Sequence, residues 1–204
     1  MGFVLKNQPI GIDKIINKIN SELYSNLTTS AGWTGYEAYH RAYRNDSANG
    51  IIPEVYTSES IDQNDYKEAY LDDRDNASSF FLVSENNDIT HSQEKIDVEI
   101  YFKVKLTSLY SELSHRADEE ARNDVKVALK NMPYVSSVGQ TITGIRNVYS
   151  EFRQDNIKYD DMQPFHVFKI NITINPIYNC YWTCEYTRDN DNSGFQYYLN
   201  FGLA

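Results

Sequence analysis

Between Lys95 and Leu106 the chain places an apolar residue at every even position: Ile96, Val98, Ile100, Phe102, Val104 and Leu106. Asp97, Glu99, Lys103 and Lys105 take odd positions, with Tyr101 among them. Alternation of period two over this length predicts a β-strand with one face on a core and the other in water. The period then changes. From Ser114 onward Ala117, Ala121, Val125, Ala128, Leu129 and Met132 form one stripe at helical spacing, with charges filling the other positions. This predicts an amphipathic helix over 115–131, stopped by Pro133.

The same logic extends along the chain. Ile12, Ile15, Ile16, Ile19 and Leu23 recur at helical spacing, and Asp13 sits in the first turn, where a carboxylate complements the helix dipole. They predict a helix over roughly 11–26 that docks its isoleucines on a sheet. Phe80–Val83 reads as a short apolar strand antiparallel to 95–106, with 85–94 as the polar connection. Thr141–Tyr149 reads as a strand, 155–161 as a polar link, and Phe165–Ile174 as a strand with Phe168, Ile170, Ile172 and Ile174 alternating. The order α-β-β-α-β-β predicts an α+β fold, a two-layer domain of mainly antiparallel sheet with two helices packed on it.

Two regions stand apart from that core of about 10–27 and 77–175. Residues 28–76 show no sustained period and read as a loop insertion, apart from a short strand at Ile51–Tyr56. Within it Tyr36, Tyr39, Arg41, Tyr43 and Arg44 have the composition of an interface centre, and a loop packed on its own domain explains them equally well. Residues 176–204 read as a β-hairpin extension. Tyr178, Cys180, Trp182, Cys184 and Tyr186 share one face of its first arm, and Phe195, Tyr197, Leu199, Phe201 and Leu203 one face of its second. Such a hairpin can extend the sheet or add to a neighbouring subunit.

Length changes little: 204 residues suffice for a single domain with a sizeable core. The formal net charge of -10 does matter, because a surface built to hold nucleic-acid phosphates needs clustered Lys and Arg. Seventeen tyrosines is a high count; strand-rich composition explains much of it, and enrichment at contact surfaces is the alternative. The first residues carry no apolar run of signal-peptide type, and no run approaches a membrane span, so synthesis in the cytoplasm and no membrane partner are expected. The Asn-x-Ser/Thr sites at Asn26, Asn45, Asn76 and Asn171 then follow from Asn-rich composition. Cys180 and Cys184 on one strand would lie about 13 Å apart at ~3.3 Å per residue, too far for a disulfide, and read as free thiols.

Chemistry-bearing patterns are sparse. No phosphate loop, nucleophile elbow, zinc-protease or EF-hand pattern occurs. His115 and Glu119, four apart on one helix face, can be read as an acid/base or metal pair, or more simply as an exposed surface pair. Asp160 and Asp161 are adjacent, with His166 five residues on; adjacent carboxylates on a strand point to opposite faces, which argues against a shared role. Asp189, Asp191 and Gly194 lack the closing Glu of a calcium loop. The expectation is therefore no catalytic, cofactor-binding or metal residues, and a protein that is not an enzyme.

Two segments carry a resemblance: Ser114-His115-Arg116-Ala117-Asp118-Glu119-Glu120-Ala121-Arg122-Asn123-Asp124-Val125 and Tyr159-Asp160-Asp161-Met162-Gln163-Pro164-Phe165-His166-Val167-Phe168-Lys169-Ile170. With the leading helix and the element order, they resemble head-to-tail connector proteins of tailed bacteriophages, and more narrowly connector ring proteins of crAss-like phages, similar in fold to tail-terminator and tail-completion proteins. The resemblance spans about residues 10–175. It implies a structural virion protein of the neck: a homo-oligomeric ring of six or twelve subunits below the portal, in contact with portal and other connector or tail proteins. Genomic DNA would pass through its channel without specific binding, which suits an acidic chain. A monomeric adaptor module, or an enzyme using His115 and Glu119, are the competing expectations.

Overall fold

The computed structural model describes residues 9–48, 50–56, 66–69, 75–84, 89–90, 93–111, 117–154 and 165–174. The leading helix α1 runs Ile12–Ser25 and widens into a π-helical turn, Asn26–Ser30. Strands β1 (Tyr36–Arg41), β2 (Tyr43–Ser47), β3 (Gly50–Tyr56), β4 (Tyr66–Glu68) and β5 (Ala77–Val83) follow. A two-residue pair, β6 (Ile89–Thr90) and β7 (Gln93–Glu94), leads into the long strand β8 (Ile96–Lys105). Then come a helical turn α2 (Leu106–Leu109), helix α3 (Ala117–Lys130), strand β9 (Val135–Thr143), a second turn α4 (Ile145–Val148) and strand β10 (Phe165–Ile174).

The alternation in β8 becomes the axis of a five-stranded sheet of order β1-β5-β8-β10-β9. β8 pairs antiparallel with β5 on one side and, over ten consecutive residues, with β10 on the other. Only β1 and β5 run parallel. The even-numbered side chains of β8 and β10 meet the helices, as their apolar identity requires. Val98, Ile100, Phe102 and Val104 join Phe168, Ile170, Ile172 and Ile174 beneath Ile15, Ile16, Ile19 and Leu23 of α1 and Ala121, Val125 and Leu129 of α3. Phe102 and Phe168 stack at 5.0 Å at the centre. This is the α+β, helix-on-sheet arrangement that the sequence predicts.

The other face corrects two expectations. The described residues within 28–76 are not an irregular loop: they supply β1 to the main sheet and β2-β3-β4, a three-stranded antiparallel sheet. Ile51–Tyr56 is a strand, as expected. The parallel pairing of β1 with β5 requires a crossover, and these three strands form it on the face away from the helices. Val55, Ile52, Tyr39, Ala42 and Ala69 pack there with Phe80, Leu82, Tyr101 and Val167. The odd face of β8 is therefore covered instead of lying in water. Tyr101 is fully buried and Lys103 is 2% exposed.

The strand expected over Thr141–Tyr149 is also displaced. β9 begins earlier and ends at Thr143; Gly144 then adopts φ 88°, and α4 turns Ile145, Val148, Tyr149 and Phe152 under the same face. Arg153 N donates to Ile51 O at 2.8 Å, tying this segment to β3. The expected hairpin over 176–204 and the polar link 155–161 lie outside the described residues.

Phe102 fills the centre of the helix-side core at 0% exposure, so truncation leaves a cavity that neighbouring side chains cannot close. Phe102→Ala is expected to cost about 3–5 kcal/mol of unfolding free energy, read from urea denaturation.

Candidate functional site

The residues singled out in the sequence separate in space. Glu119 is exposed on α3, where with Arg122, Asn123, Lys126 and Thr141 it lines an open depression of about 430 Å³. His115, Asp160, Asp161, Cys180, Cys184, Asp189 and Asp191 lie outside the described residues. His166 sits at 3% exposure on the helix side of β10, stacked on Phe168 at 5.3 Å, with Arg122 and Asp118 of α3 in electrostatic reach. Burial, reinforced by the Arg122 charge, pushes its pKa down to about 4. The imidazole is accordingly neutral near pH 7. Its Nε2 is buried without a hydrogen-bond partner among the described residues, which is a poor setting for a general base.

Of the aromatic and basic residues of 36–44, Tyr36, Tyr39 and His40 are buried, and Arg41, Tyr43 and Arg44 are half-buried. Opposite faces of β1 send Tyr36 towards the helices and Tyr39 towards the small sheet. Tyr36 stacks on Tyr24 at 5.6 Å, meets Trp33 edge-on, and shares a 2.7 Å hydrogen bond with Ser79. Arg41 reaches Asp13 at 3.5 Å. Trp33 Nε1 donates to the Tyr110 hydroxyl at 2.7 Å, and Tyr110 donates to Asp124 at 2.6 Å, so the end of α1 is laced to α3. The buried donors of Trp33 and Tyr110 thereby find acceptors, as interior polar groups require.

The feature that sequence reasoning missed is a charged cluster on the second face. Tyr101 and Glu99 are two apart on β8, so they share a face, and Lys169 of β10 is directly opposite Tyr101 in the ladder. Lys169 Nζ lies 2.9 Å from Glu99 Oε1, 3.2 Å from the Tyr101 hydroxyl and 5.1 Å from the centre of its ring. The same hydroxyl stands 2.6 Å from Glu99 Oε2 and 2.8 Å from Glu151 Oε1, so one proton serves two carboxylates. Glu151 receives Arg44 Nε at 2.8 Å, and Arg44 Nη1 donates to Val83 O at 3.2 Å. Two carboxylates face two cations: the cluster is internally neutral.

Electrostatics follow from that arrangement. Burial, then the hydrogen bonds and charges of Glu99 and Glu151, raises the Tyr101 hydroxyl far above the ordinary tyrosine range. Burial pushes the Glu151 carboxyl up, but the hydrogen bonds from Arg44 and Tyr101 and the charges of Arg44 and Lys169 outweigh it, leaving it below the usual value. A tyrosine held so firmly protonated is a donor, not a nucleophile. Phe80 stacks on Tyr101 at 4.7 Å and 8°, with Tyr149 and Phe152 at 5.9 and 6.0 Å, closing the ring faces to a small molecule. The cluster's chemistry is attachment: it joins β2, β8, β10 and the segment after α4. Among the described residues no group of three or more His, Cys, Asp and Glu side chains could hold a metal ion, and no helix is long and apolar enough to cross a membrane.

No family model matches the sequence, and no curated protein does either.

Two outcomes follow. Lys169→Met removes the cation between Glu99 and Tyr101 and is expected to cost roughly 1–3 kcal/mol, because a half-buried carboxylate loses its partner. Adding Glu99→Gln should recover part of the loss, and a double-mutant cycle in urea measures the coupling. For His166, the folded-state pKa of about 4 lies below the ordinary 6.5, so the unfolded chain binds more protons between those values. Stability is then full above pH 6.5 and falls as pH drops towards 4. His166→Phe should flatten the upper part of that slope, while the depressed Glu151 carboxyl keeps a loss at lower pH in both proteins.

Proposed function

We propose that this chain is a structural subunit of a bacteriophage head-to-tail connector, assembling as a ring in the neck below the portal and around the DNA channel. The observation that carries the reading is that the described parts of the two connector-like segments form one packed unit. Ala121 and Val125 of α3 share the core with Phe168 and Ile170 of β10, and His166 lies within electrostatic reach of Arg122 and Asp118. The described parts of these segments, 117–125 and 165–170, are thus linked by packing as well as by the resemblance of the two segments to connector proteins.

Charge supports the same reading. A net charge of -10 suits a wall past which DNA slides, since attraction to phosphate would hold it. The buried cluster supports it from another side: its polar groups are spent on one another, which favours a rigid scaffold role over chemistry. In this reading the subunits form a closed ring of six or twelve copies through two different surfaces each, and the ring meets the portal and other neck or tail proteins. Its place of action is the virion.

Electron microscopy of the chain mixed with its portal tests this directly. A closed ring coaxial with the portal is the expected result. Scattered decoration of the portal, or no binding, would overturn it.

A further inference from the structure

Glu119, Arg122, Asn123 and Lys126 stand at i, i+3, i+4 and i+7 on α3, turned away from the Ala121, Val125 and Leu129 stripe that enters the core. With Thr141 of β9 they line the open depression of about 430 Å³. That volume falls in the ordinary range for small-ligand pockets, roughly 300–1,000 Å³. The lining is polar, so a ligand here is recognised by hydrogen bonds and charge.

Most donors in the depression are uncommitted. Arg122 Nε donates to Asp118 O at 3.0 Å and Nη2 to Asp118 Oδ2 at 2.6 Å, which fixes the guanidinium. Its Nη1 makes no hydrogen bond among the described residues. Lys126 is half-buried and has neither an ion pair nor a hydrogen bond among the described residues. Thr141 pairs with Ile170 in the ladder, and its Oγ1 is buried without a partner among the described residues. A buried hydroxyl in that state costs stability unless something else accepts its proton. The orphaned hydroxyl is thus a sign of a ligand independent of the two cations.

Two cations and a hydroxyl suit an oxyanion, since charge-assisted hydrogen bonds are the strong ones. Glu119 narrows the choice. Its carboxylate is exposed at the same depression and only accepts, with about four lone-pair sites. Beside an anion it is favourable only where the anion itself brings a proton. A phosphate monoester has its second pKa at about 6 and so retains a P–OH there. Sulfate has no such proton, and neither has a phosphodiester.

We propose that the α3–β9 depression binds a protonated phosphate, as the free ion or as a monoester, with Arg122, Lys126 and Thr141 donating and Glu119 accepting from the P–OH. The DNA backbone is built of diesters and lacks the proton that Glu119 selects. The site is therefore compatible with a wall past which DNA slides, and it stands equally if the ring reading fails.

Calorimetric titration of the full-length chain at about pH 6 and constant ionic strength tests this, with inorganic phosphate, glycerol 3-phosphate and sulfate as probes. Saturable binding of a phosphate probe is expected, at least several-fold tighter than sulfate; the tighter of the two phosphate probes tells whether the free ion or an ester is the ligand. Lys126→Met should weaken it about tenfold, whereas Lys95→Met, which removes an exposed charge on the far side of β10 from β9, should stay within about twofold. Thr141→Val should weaken binding while leaving the melting temperature of the free protein unchanged or higher, because the hydroxyl has no described partner to lose. Glu119→Gln should remove the preference for phosphate over sulfate. No saturable binding of either phosphate probe overturns the proposal. Equal affinity for sulfate in the native chain, or equal losses in Lys126→Met and Lys95→Met, overturns it as well.

Discussion

Tyr101 has one hydroxyl proton and two carboxylates within reach of it, and the arrangement around that proton decides how the layers of this protein are joined. Glu99 alone would make the outer face of β8 a solvated surface. With Glu151 arriving from beyond α4, Arg44 from β2 and Lys169 from β10, four elements close on one hydroxyl. A charge in such a place is costly unless paired, and pairing here is mutual, so each group requires the others. The helix-side core is held by non-directional burial; this side is held by directional contacts that fix one register between β2, β8 and β10.

That difference explains what could be read from the sequence. Helix α1 and the even face of β8 and β10 were legible because Ile, Val, Leu and Phe at regular spacing have one inexpensive environment. The odd face was not. Lys103 and Glu99 look like water-facing residues, yet Lys103 stands 4.9 Å over the Phe165 ring and Glu99 is paired with Lys169. Alternation records a change of polarity from face to face; it does not say whether the polar face meets water or a layer carrying complementary charges. The cluster gave no local signal either, since its members come from positions 44, 99, 101, 151 and 169.

The strands of 36–56 were hidden for another reason. Tyr36-Glu37-Ala38-Tyr39-His40-Arg41 is buried on both faces by aromatic rings and paired polar groups, so it lacks the aliphatic alternation that marks β10. β9 was misplaced because its pairing with β10 shifts register twice. Its helix-facing residues are consequently Val135, Val138, Thr141 and Thr143, at spacings no strict period of two can detect. The turn at Gly144, with φ 88°, was the available sign that the strand stops before Ile145. As for the candidate site, Glu119 was legible as a surface residue, whereas the burial of Tyr36 and Tyr39 and the pairing of half-buried Arg44 with Glu151 depended on strands that the sequence did not announce.

The account turns on the claim that the second face of the main sheet is interior, a scaffold whose charges are spent on each other. Lysine labelling measures this most directly. Under brief acetylation of the native protein, followed by mass spectrometry, Lys95 is exposed and should react readily, while Lys103 and Lys169, at 2% and 6% exposure, should be protected until the protein unfolds. Acetylation of Lys103 and Lys169 at the rate of Lys95 would mean that this face lies in water, and would contradict the account.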